Sequence, residues 1–212
     1  MHDASPGTRP RSPFAQAAIA CAAAAWLAFV AVGFGSLFGH ASTPGAAPAP
    51  PARWPSPSPC ERAANMPSLL MFVHPGCPCT LASLGELERV MAKCAGRVAA
   101  TVLFRHDPAN GLDATASPAW RVVERIPGTQ ARIDAGDAAA RAFGVTTSGS
   151  VVLYAPDGRL LFHGGITGSR GHEGDNAGAC AVVAGINDVN AAAAAAAVFG
   201  CELTAPPGSP PR

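Results

Sequence analysis

The feature that most constrains the fold of this chain is an apolar segment followed directly by two cysteines and an amphipathic segment. Residues 68–73 (SLLMFV) have the length and composition of a buried strand. The apolar run ends at residues 75–76, Pro-Gly, and residues 81–91 then repeat apolar side chains at helical spacing. Cys77 and Cys79 therefore fall where a strand gives way to the first turn of a helix.

The amino end of a helix favours a thiolate. Backbone N–H groups without partners and the positive end of the helix dipole lie there, and both lower the pKa of a nearby cysteine. Strand, cysteine pair and helix together are the layout of a thiol–disulfide redox site. The alternative is that each cysteine is simply buried, or is bonded to a different partner.

Only Pro78 separates the two cysteines, whereas the usual redox motif has two intervening residues. A disulfide across one residue closes a small, strained ring, and such a bond is easy to reduce. If Cys77 and Cys79 pair, we therefore expect an oxidising or isomerising couple. His74, three residues before Cys77, is a candidate base, thiolate partner or metal ligand, with an ordinary structural role as the alternative.

The segment 14–39 contains no charged residue and is long enough to span a bilayer as a helix. Arg9 and Arg11 precede it, and no charge follows it until Arg53. The positive-inside rule therefore places residues 1–13 in the cytoplasm and the rest of the chain outside. An uncleaved anchor is favoured over a cleaved signal peptide because the apolar region is longer than usual for a signal. This predicts a single-pass protein of the inner (cytoplasmic) membrane with its C-terminal domain in the periplasm or outside.

Composition divides the exported part into a linker, a domain and a tail. Residues 40–66 are rich in proline and alanine, which predicts a semi-rigid extended spacer. An ordered domain is expected over 67–203, and the proline-rich end, 204–212, is expected to be disordered. After the first strand and helix, the predicted strands are 97–104, 130–133, 150–155 and 159–163, and the predicted helices are 118–126, 137–143 and 176–198. This alternation predicts an α/β fold with parallel strands and an antiparallel edge.

Charge and cysteine content limit the partners and the compartment. A net charge of +1 with scattered basic residues gives no sign of a nucleic-acid partner. Seven cysteines are many for a chain kept in a reducing cytosol. With the motif pair, the exported part carries an even number, which permits disulfides. Cys180–Cys201 and Cys60–Cys94 are possible pairs, while Cys21 in the apolar segment is expected to act as a small apolar residue.

The predicted order of elements, with the cysteine motif between the first long strand and its helix, resembles the thioredoxin-like superfamily. The resemblance covers about residues 67–203. It implies a three-layer α/β sandwich, in which a central mixed β-sheet carries helices on both faces, preceded here by one transmembrane helix. The resemblance rests on the aromatic-rich residues 72–77, which end at the first cysteine. It also rests on three segments that resemble the membrane-tethered periplasmic thiol–disulfide branch: 134–137, 142–145 and 154–162.

More narrowly, the chain looks like the RedB-type proteins at residues 74–79, 147–149, 164–167 and 170–178. The superfamily keeps a cis-proline that faces the cysteines, aligns an extended substrate and keeps metals off the thiols. Here Thr147, Ser148 and Gly149 occupy its place, so the resemblance implies that Ser148 and Gly149 face the substrate. The absence of the proline leaves room for a metal.

The glycine-rich loop 164–178 is expected beside the cysteines. If the second strand of the hairpin runs parallel to the cysteine-bearing strand, both strands end at the same edge of the sheet. Glycine lets the loop backbone approach a ligand closely, and Arg170, His172 and Glu173 are its candidate substrate-facing side chains. The alternative is a solvated loop in which Asp175 or Asn176 caps the last helix.

Two functions fit these residues. In the first, the chain is a thiol–disulfide oxidoreductase without a cofactor, with Cys77 as the attacking thiolate and Cys79 as the resolving thiol. Its partners are cysteine-containing exported proteins or a membrane electron donor. In the second, it is a copper-binding or copper-delivery protein whose soft ligands are Cys77, Cys79 and either His74 or His172. The enzyme is favoured; a thioredoxin-like scaffold used only for interaction is a third interpretation.

Overall fold

The computed structural model describes residues 12–106 and 113–203. The predicted disordered tail, 204–212, and most of the predicted cytoplasmic segment, 1–13, lie outside the described residues. The chain forms two compact units, residues 1–40 and 41–212, and each is described by itself.

Helix α1, Pro13–Ser42, is long and apolar enough to cross a membrane. It contains a window of 18 residues with a mean hydropathy of 2.2, and none of its residues is buried within the protein. It covers the predicted span 14–39. Its length, composition and position fit a membrane anchor and equally fit an export signal.

The second unit is built around one six-stranded mixed sheet with the spatial order β3-β2-β1-β4-β5-β6. Its strands are β1 (Ser68–Val73), β2 (Ala99–Arg105), β3 (Thr129–Asp134), β4 (Ser150–Tyr154), β5 (Leu160–Gly165) and β6 (Ala194–Ala195). Its helices are α2 (Thr80–Lys93), α3 (Pro118–Val123), α4 (Ala138–Ala142) and α5 (Ala177–Asn187), with 3₁₀ turns at Ala114–Ala116 and Ala135–Asp137.

The strand directions bring the cysteines and the loop after β5 to one edge of the sheet. Strands β1, β2 and β3 are parallel, and β4 is antiparallel to both β1 and β5. Strand β5 therefore runs parallel to β1, which is the condition under which the loop after β5 is expected beside the cysteines. The ends of β1 and β5 and the start of β4 consequently lie together.

Helices cover both faces of the sheet. Every residue of β1 is buried, and its side chains alternate between two hydrophobic clusters. One cluster joins Leu69 and Met71 to helices α2, α3 and α5, and the other joins Leu70 and Phe72 to Phe143 after α4. The predicted thioredoxin-like three-layer α/β sandwich is confirmed.

The last helix is shorter than its sequence predicts. Helix α5 ends at Asn187 instead of Val198, and the alanine-rich stretch after it contains β6, which pairs with β5. A Cβ added at Gly164 would overlap the backbone of Ala196. The absence of side chains at Gly164 and Gly165 thus lets an extended alanine backbone lie close to the end of β5, and this packing overrides the high helix propensity of alanine.

The proline-rich stretch also differs from the predicted free spacer. The Trp54 ring packs edge-on against Phe143 and Tyr154, with centroid distances of 5.0 and 5.2 Å. The Tyr154 hydroxyl donates to the carbonyl of Pro51 at 2.9 Å, and Cys60 is buried against the same cluster. The polar groups of an extended backbone are free to bond to another segment. Here the N–H groups of Gly45 and Ala49 donate to carbonyls of the domain, so residues 45–60 lie along the domain.

Candidate thiol-redox site

The turn between β1 and α2 is held by hydrogen bonds around His74. Its carbonyl accepts from the N–H of Cys77 and from the hydroxyl of Thr80, both at 3.1 Å. Its Nδ1 accepts from the N–H of Gly76 at 3.1 Å. Cys79 is the residue before the first turn of α2. Both cysteines therefore lie at the amino end of a 14-residue helix, and His74 organises their turn.

A third cysteine, which lies outside the predicted motif, is next to Cys77. The Sγ atoms of Cys77 and Cys201 lie 3.0 Å apart, although the two residues are separated by 124 positions in sequence. Cys77 is 5% exposed, while Cys79 and Cys201 are half-buried. The site is thus a cluster of three thiols centred on Cys77.

The surroundings of Cys77 favour its thiolate. Burial by itself raises the pKa of Cys77. Four hydrogen bonds together outweigh this effect: one from the Cys201 side chain, two from backbone groups of Cys201 and Cys79, and one from the Ser148 side chain. The net effect lowers the pKa of Cys77 below its ordinary value. Donors that bind the charged form stabilise that form, so of the three thiols Cys77 is the one whose ionisation the surroundings favour.

The other two thiols are held in their protonated form. Burial, followed by the hydrogen bond to Cys77, raises the pKa of Cys201 to about 12. Burial, followed by the charge of Cys77, also raises the pKa of Cys79. The positive charge of Arg170 acts in the opposite direction on both thiols. Cys77 therefore ionises at a lower pH than its two neighbours, and its charge opposes their ionisation because adjacent like charges repel.

The loop before β4 holds Cys201 in place. The N–H of Ser148 donates to the carbonyl of Cys201 at 2.8 Å, and the N–H of Leu203 donates to the carbonyl of Thr146 at 2.7 Å. A Cβ added at Gly200 would overlap the carbonyl oxygen of Ser148. The final described segment, Gly200–Leu203, therefore pairs as a short extended strand with the stretch that the sequence aligns with the cis-proline loop.

Of the predicted substrate-facing residues, Ser148 and Arg170 reach the thiol cluster. The guanidinium of Arg170 donates to the carbonyl of Gly200, and the N–H of Gly171 binds Cys79. The N–H of Gly149 donates to the carbonyl of Phe72 at 2.7 Å and so ties the loop to β1.

Glu173 and His172 are placed differently. The Glu173 carboxylate forms an ion pair of 2.7 Å with Arg89 on α2, and His172 is exposed. The Asn176 side chain accepts from the N–H of Ala179 at 2.8 Å. Asn176 thus caps α5, as the alternative interpretation of this loop predicts.

The predicted copper ligands do not form a ligand set in the part of the chain that the structure describes, 12–106 and 113–203. No group of three His, Cys, Asp or Glu side chains there has the arrangement of a metal site. The Nδ1 of His74 accepts a hydrogen bond from Gly76. His172 is exposed.

All seven cysteines are free thiols. Cys60 and Cys94 belong to the hydrophobic clusters on opposite faces of the sheet, so their predicted pairing is wrong. Cys180 is exposed on α5. Cys201 adjoins Cys77 instead of pairing with Cys180.

No protein-family model matches the chain, and no curated protein matches it. Among solved structures, an uncharacterized conserved protein from Geobacillus kaustophilus is similar over 79% of this chain and 95% of its own, with 16% identity and a TM-score of 0.56. A hypothetical protein from Sinorhizobium meliloti 1021 is similar over 77% of this chain and 96% of its own, with 20% identity and a TM-score of 0.53.

A secreted Mycobacterium tuberculosis disulfide oxidoreductase is similar over 45% of this chain and 66% of its own, with 21% identity and a TM-score of 0.36. The two similarities with TM-scores above 0.5 concern the fold alone, and the weaker third similarity supports no conclusion about this chain. A shared fold does not determine a shared chemistry.

Proposed function

We propose that this chain is a membrane-anchored thiol–disulfide oxidoreductase whose domain faces the periplasm or the outside of the cell. The observation that carries the proposal is the position of Cys77 at the amino end of α2, with its Sγ 3.0 Å from that of Cys201. Ser148 and backbone donors complete the surroundings that stabilise its thiolate. A stabilised thiolate beside further thiols is the chemical requirement for disulfide exchange.

The reaction begins when the Cys77 thiolate attacks one sulfur of a substrate disulfide. A bond forms between Cys77 and that sulfur, the substrate disulfide breaks, and the released substrate thiolate takes a proton. A second thiol of the cluster then attacks the Cys77 sulfur. This step releases the other substrate thiol and leaves an internal disulfide. Two electrons have passed to the substrate, and a dithiol donor must return two electrons for the next cycle.

Exported proteins that contain cysteines are the proposed substrates, and a membrane electron donor is the proposed source of reducing equivalents. Helix α1 supports the anchoring because it is apolar over 30 residues and none of them is buried in the protein. The charge pattern around α1 supports the outward orientation of the domain. The narrower resemblance to the RedB-type proteins rests on residues 74–79, 147–149, 164–167 and 170–178.

The test uses the full-length protein in detergent micelles with a peptide disulfide as substrate. We expect Cys77→Ser to abolish exchange, and the matched control Cys180→Ser to retain it because Cys180 is an exposed thiol on α5. A Cu(I) titration of the same preparation examines the copper alternative. Stoichiometric Cu(I) binding that is lost in Cys79→Ser, without any thiol exchange, would overturn the oxidoreductase proposal.

A further inference from the structure

We propose that Cys201 is the resolving thiol of this site, so that the oxidised protein carries a disulfide between Cys77 and Cys201. The inference rests on the proposed oxidoreductase function and assigns a role that the Cys77–Cys79 motif does not contain. Cys201 comes from the last described segment of the chain, which the topology brings back to the start of α2.

The distance between the sulfurs fits this role. The Sγ atoms of Cys77 and Cys201 are 3.0 Å apart, and a disulfide bond is about 2.05 Å long. A side-chain movement of about 1 Å therefore converts the observed contact into a bond. No change of backbone pairing is required for a movement of this size.

The fold fixes Cys201 at this distance through its backbone. Hydrogen bonds of 2.8 and 2.7 Å join Ser148 to Cys201 and Leu203 to Thr146. Between them, Thr147 and Glu202 form an antiparallel bridge. The guanidinium of Arg170 binds the carbonyl of the residue before Cys201. The backbone on both sides of Cys201 is therefore hydrogen-bonded to other segments, which fixes the position of its side chain.

Ring size favours Cys201 over Cys79 as the resolving thiol. A disulfide between Cys77 and Cys79 would close a strained ring across Pro78 alone. A disulfide between Cys77 and Cys201 joins two segments separated by 124 positions, so it carries no short-ring strain. Cys79, which is more exposed than Cys77, is left to contact the substrate.

The chemical step has a defined electron and proton balance. After Cys77 has formed a mixed disulfide with the substrate, the Cys201 thiol gives up its proton to solvent and its sulfur attacks the Cys77 sulfur. The Cys77–Cys201 bond forms, the bond between Cys77 and the substrate breaks, and the departing substrate thiolate takes up one proton from solvent, so the number of protons is unchanged.

Peptide mapping of the full-length protein in detergent tests the assignment directly. A Cys180→Ser background leaves Cys201 as the only cysteine of the tryptic peptide 171–212, while peptide 63–89 carries Cys77 and Cys79. The protein is oxidised with one equivalent of oxidised glutathione, alkylated and digested without reduction. We expect the two peptides to be linked, and the linkage to persist when Cys79→Ser is added. Alkylated Cys201 together with a disulfide inside peptide 63–89 would overturn the proposal.

Kinetics separate this inference from the proposed function. In Cys201→Ser we expect the mixed disulfide on Cys77 to accumulate and steady-state exchange to fall at least about tenfold. Loss of activity in Cys77→Ser with wild-type rates in Cys201→Ser would remove the role of Cys201 and leave the oxidoreductase proposal standing. Full activity in Cys77→Ser would remove both. The mapping is made without substitution at Cys77 or Cys201, so it does not depend on the folding of the kinetic variants.

Discussion

The backbone N–H of His74 donates a hydrogen bond of 2.9 Å to the side-chain oxygen of Ser148. This bond ties the turn before the cysteines to the loop before β4, although the two residues are 74 positions apart. The Ser148 side chain also bonds to Cys77. Ser148 therefore both positions the turn before Cys77 and stabilises the charged form of the Cys77 thiol.

Replacing Ser148 by alanine should raise the pKa of Cys77. The variant loses one donor to the thiolate, so the neutral thiol is favoured to a higher pH. The alkylation rate of Cys77 measured against pH should show its midpoint shifted upward. Ser117→Ala is the control, since Ser117 caps α3 through the N–H of Trp120; its loss should reduce stability and leave the midpoint in place. An unshifted midpoint in Ser148→Ala would contradict the assigned hydrogen bond.

Replacing Gly200 by alanine should displace the strand that carries Cys201. The added Cβ would overlap the Ser148 carbonyl oxygen, and a steric conflict of this kind typically costs about 1–3 kcal/mol. Cys77 should become more accessible, so its maximal alkylation rate at high pH should increase. Gly168→Ala is the matched control because its nearest neighbouring atom lies 4.0 Å from the added Cβ. Equal maximal rates in the two variants would show that the strand does not cover Cys77.

Replacing Glu86 by alanine should loosen the loop beside Cys79. The buried Glu86 carboxylate accepts from the N–H of Gly174 at 2.6 Å and binds Arg89 at 2.5 Å. Removing the acceptor leaves the N–H of Gly174 without this partner, so the free energy of unfolding should fall by about 1–3 kcal/mol. Arg89 keeps its ion pair with Glu173. Denaturant unfolding measures this change. The exposed Glu88→Ala should have little effect, and a loss as large there would argue against a specific role of Glu86.

Cys60 should make the stability of the protein fall in alkaline solution. Burial, followed by the negative charge of Asp134, raises the pKa of Cys60 from 9.0 to about 11. In the folded state the thiol stays protonated, while in the unfolded state it ionises above pH 9.0. The stabilisation is therefore complete below pH 9.0 and is lost as the pH rises to about 11.

Denaturant unfolding of the wild type and of Cys60→Ala across this pH range measures the effect. The difference in unfolding free energy between the two proteins should shrink as the pH increases. Cys180→Ser provides the control, since its thiol is exposed. A constant difference across the range would show that Cys60 ionises equally in both states.

The local part of the site can be predicted from sequence, and the long-range part cannot. An apolar run, a Pro-Gly break and helical spacing specify β1, the turn and α2 from neighbouring residues alone. The position of Cys201 depends on the path of residues 188–200, where alanine propensity favours a helix. The extended path arises from packing on Gly164 and Gly200. Gly164 and Gly165 at the end of β5 were the available signal, because glycine inside a strand indicates close backbone approach.

Strand β6 forms one edge of the sheet, so it determines which backbone groups a neighbouring molecule can contact there. It pairs with Phe162 and His163 of β5 and contains only two residues, both alanine. Without it, the six-residue β5 would present a row of open backbone groups. Such a row is a template for joining sheets of separate molecules. The alanine run therefore shields the protein from aggregation through this border.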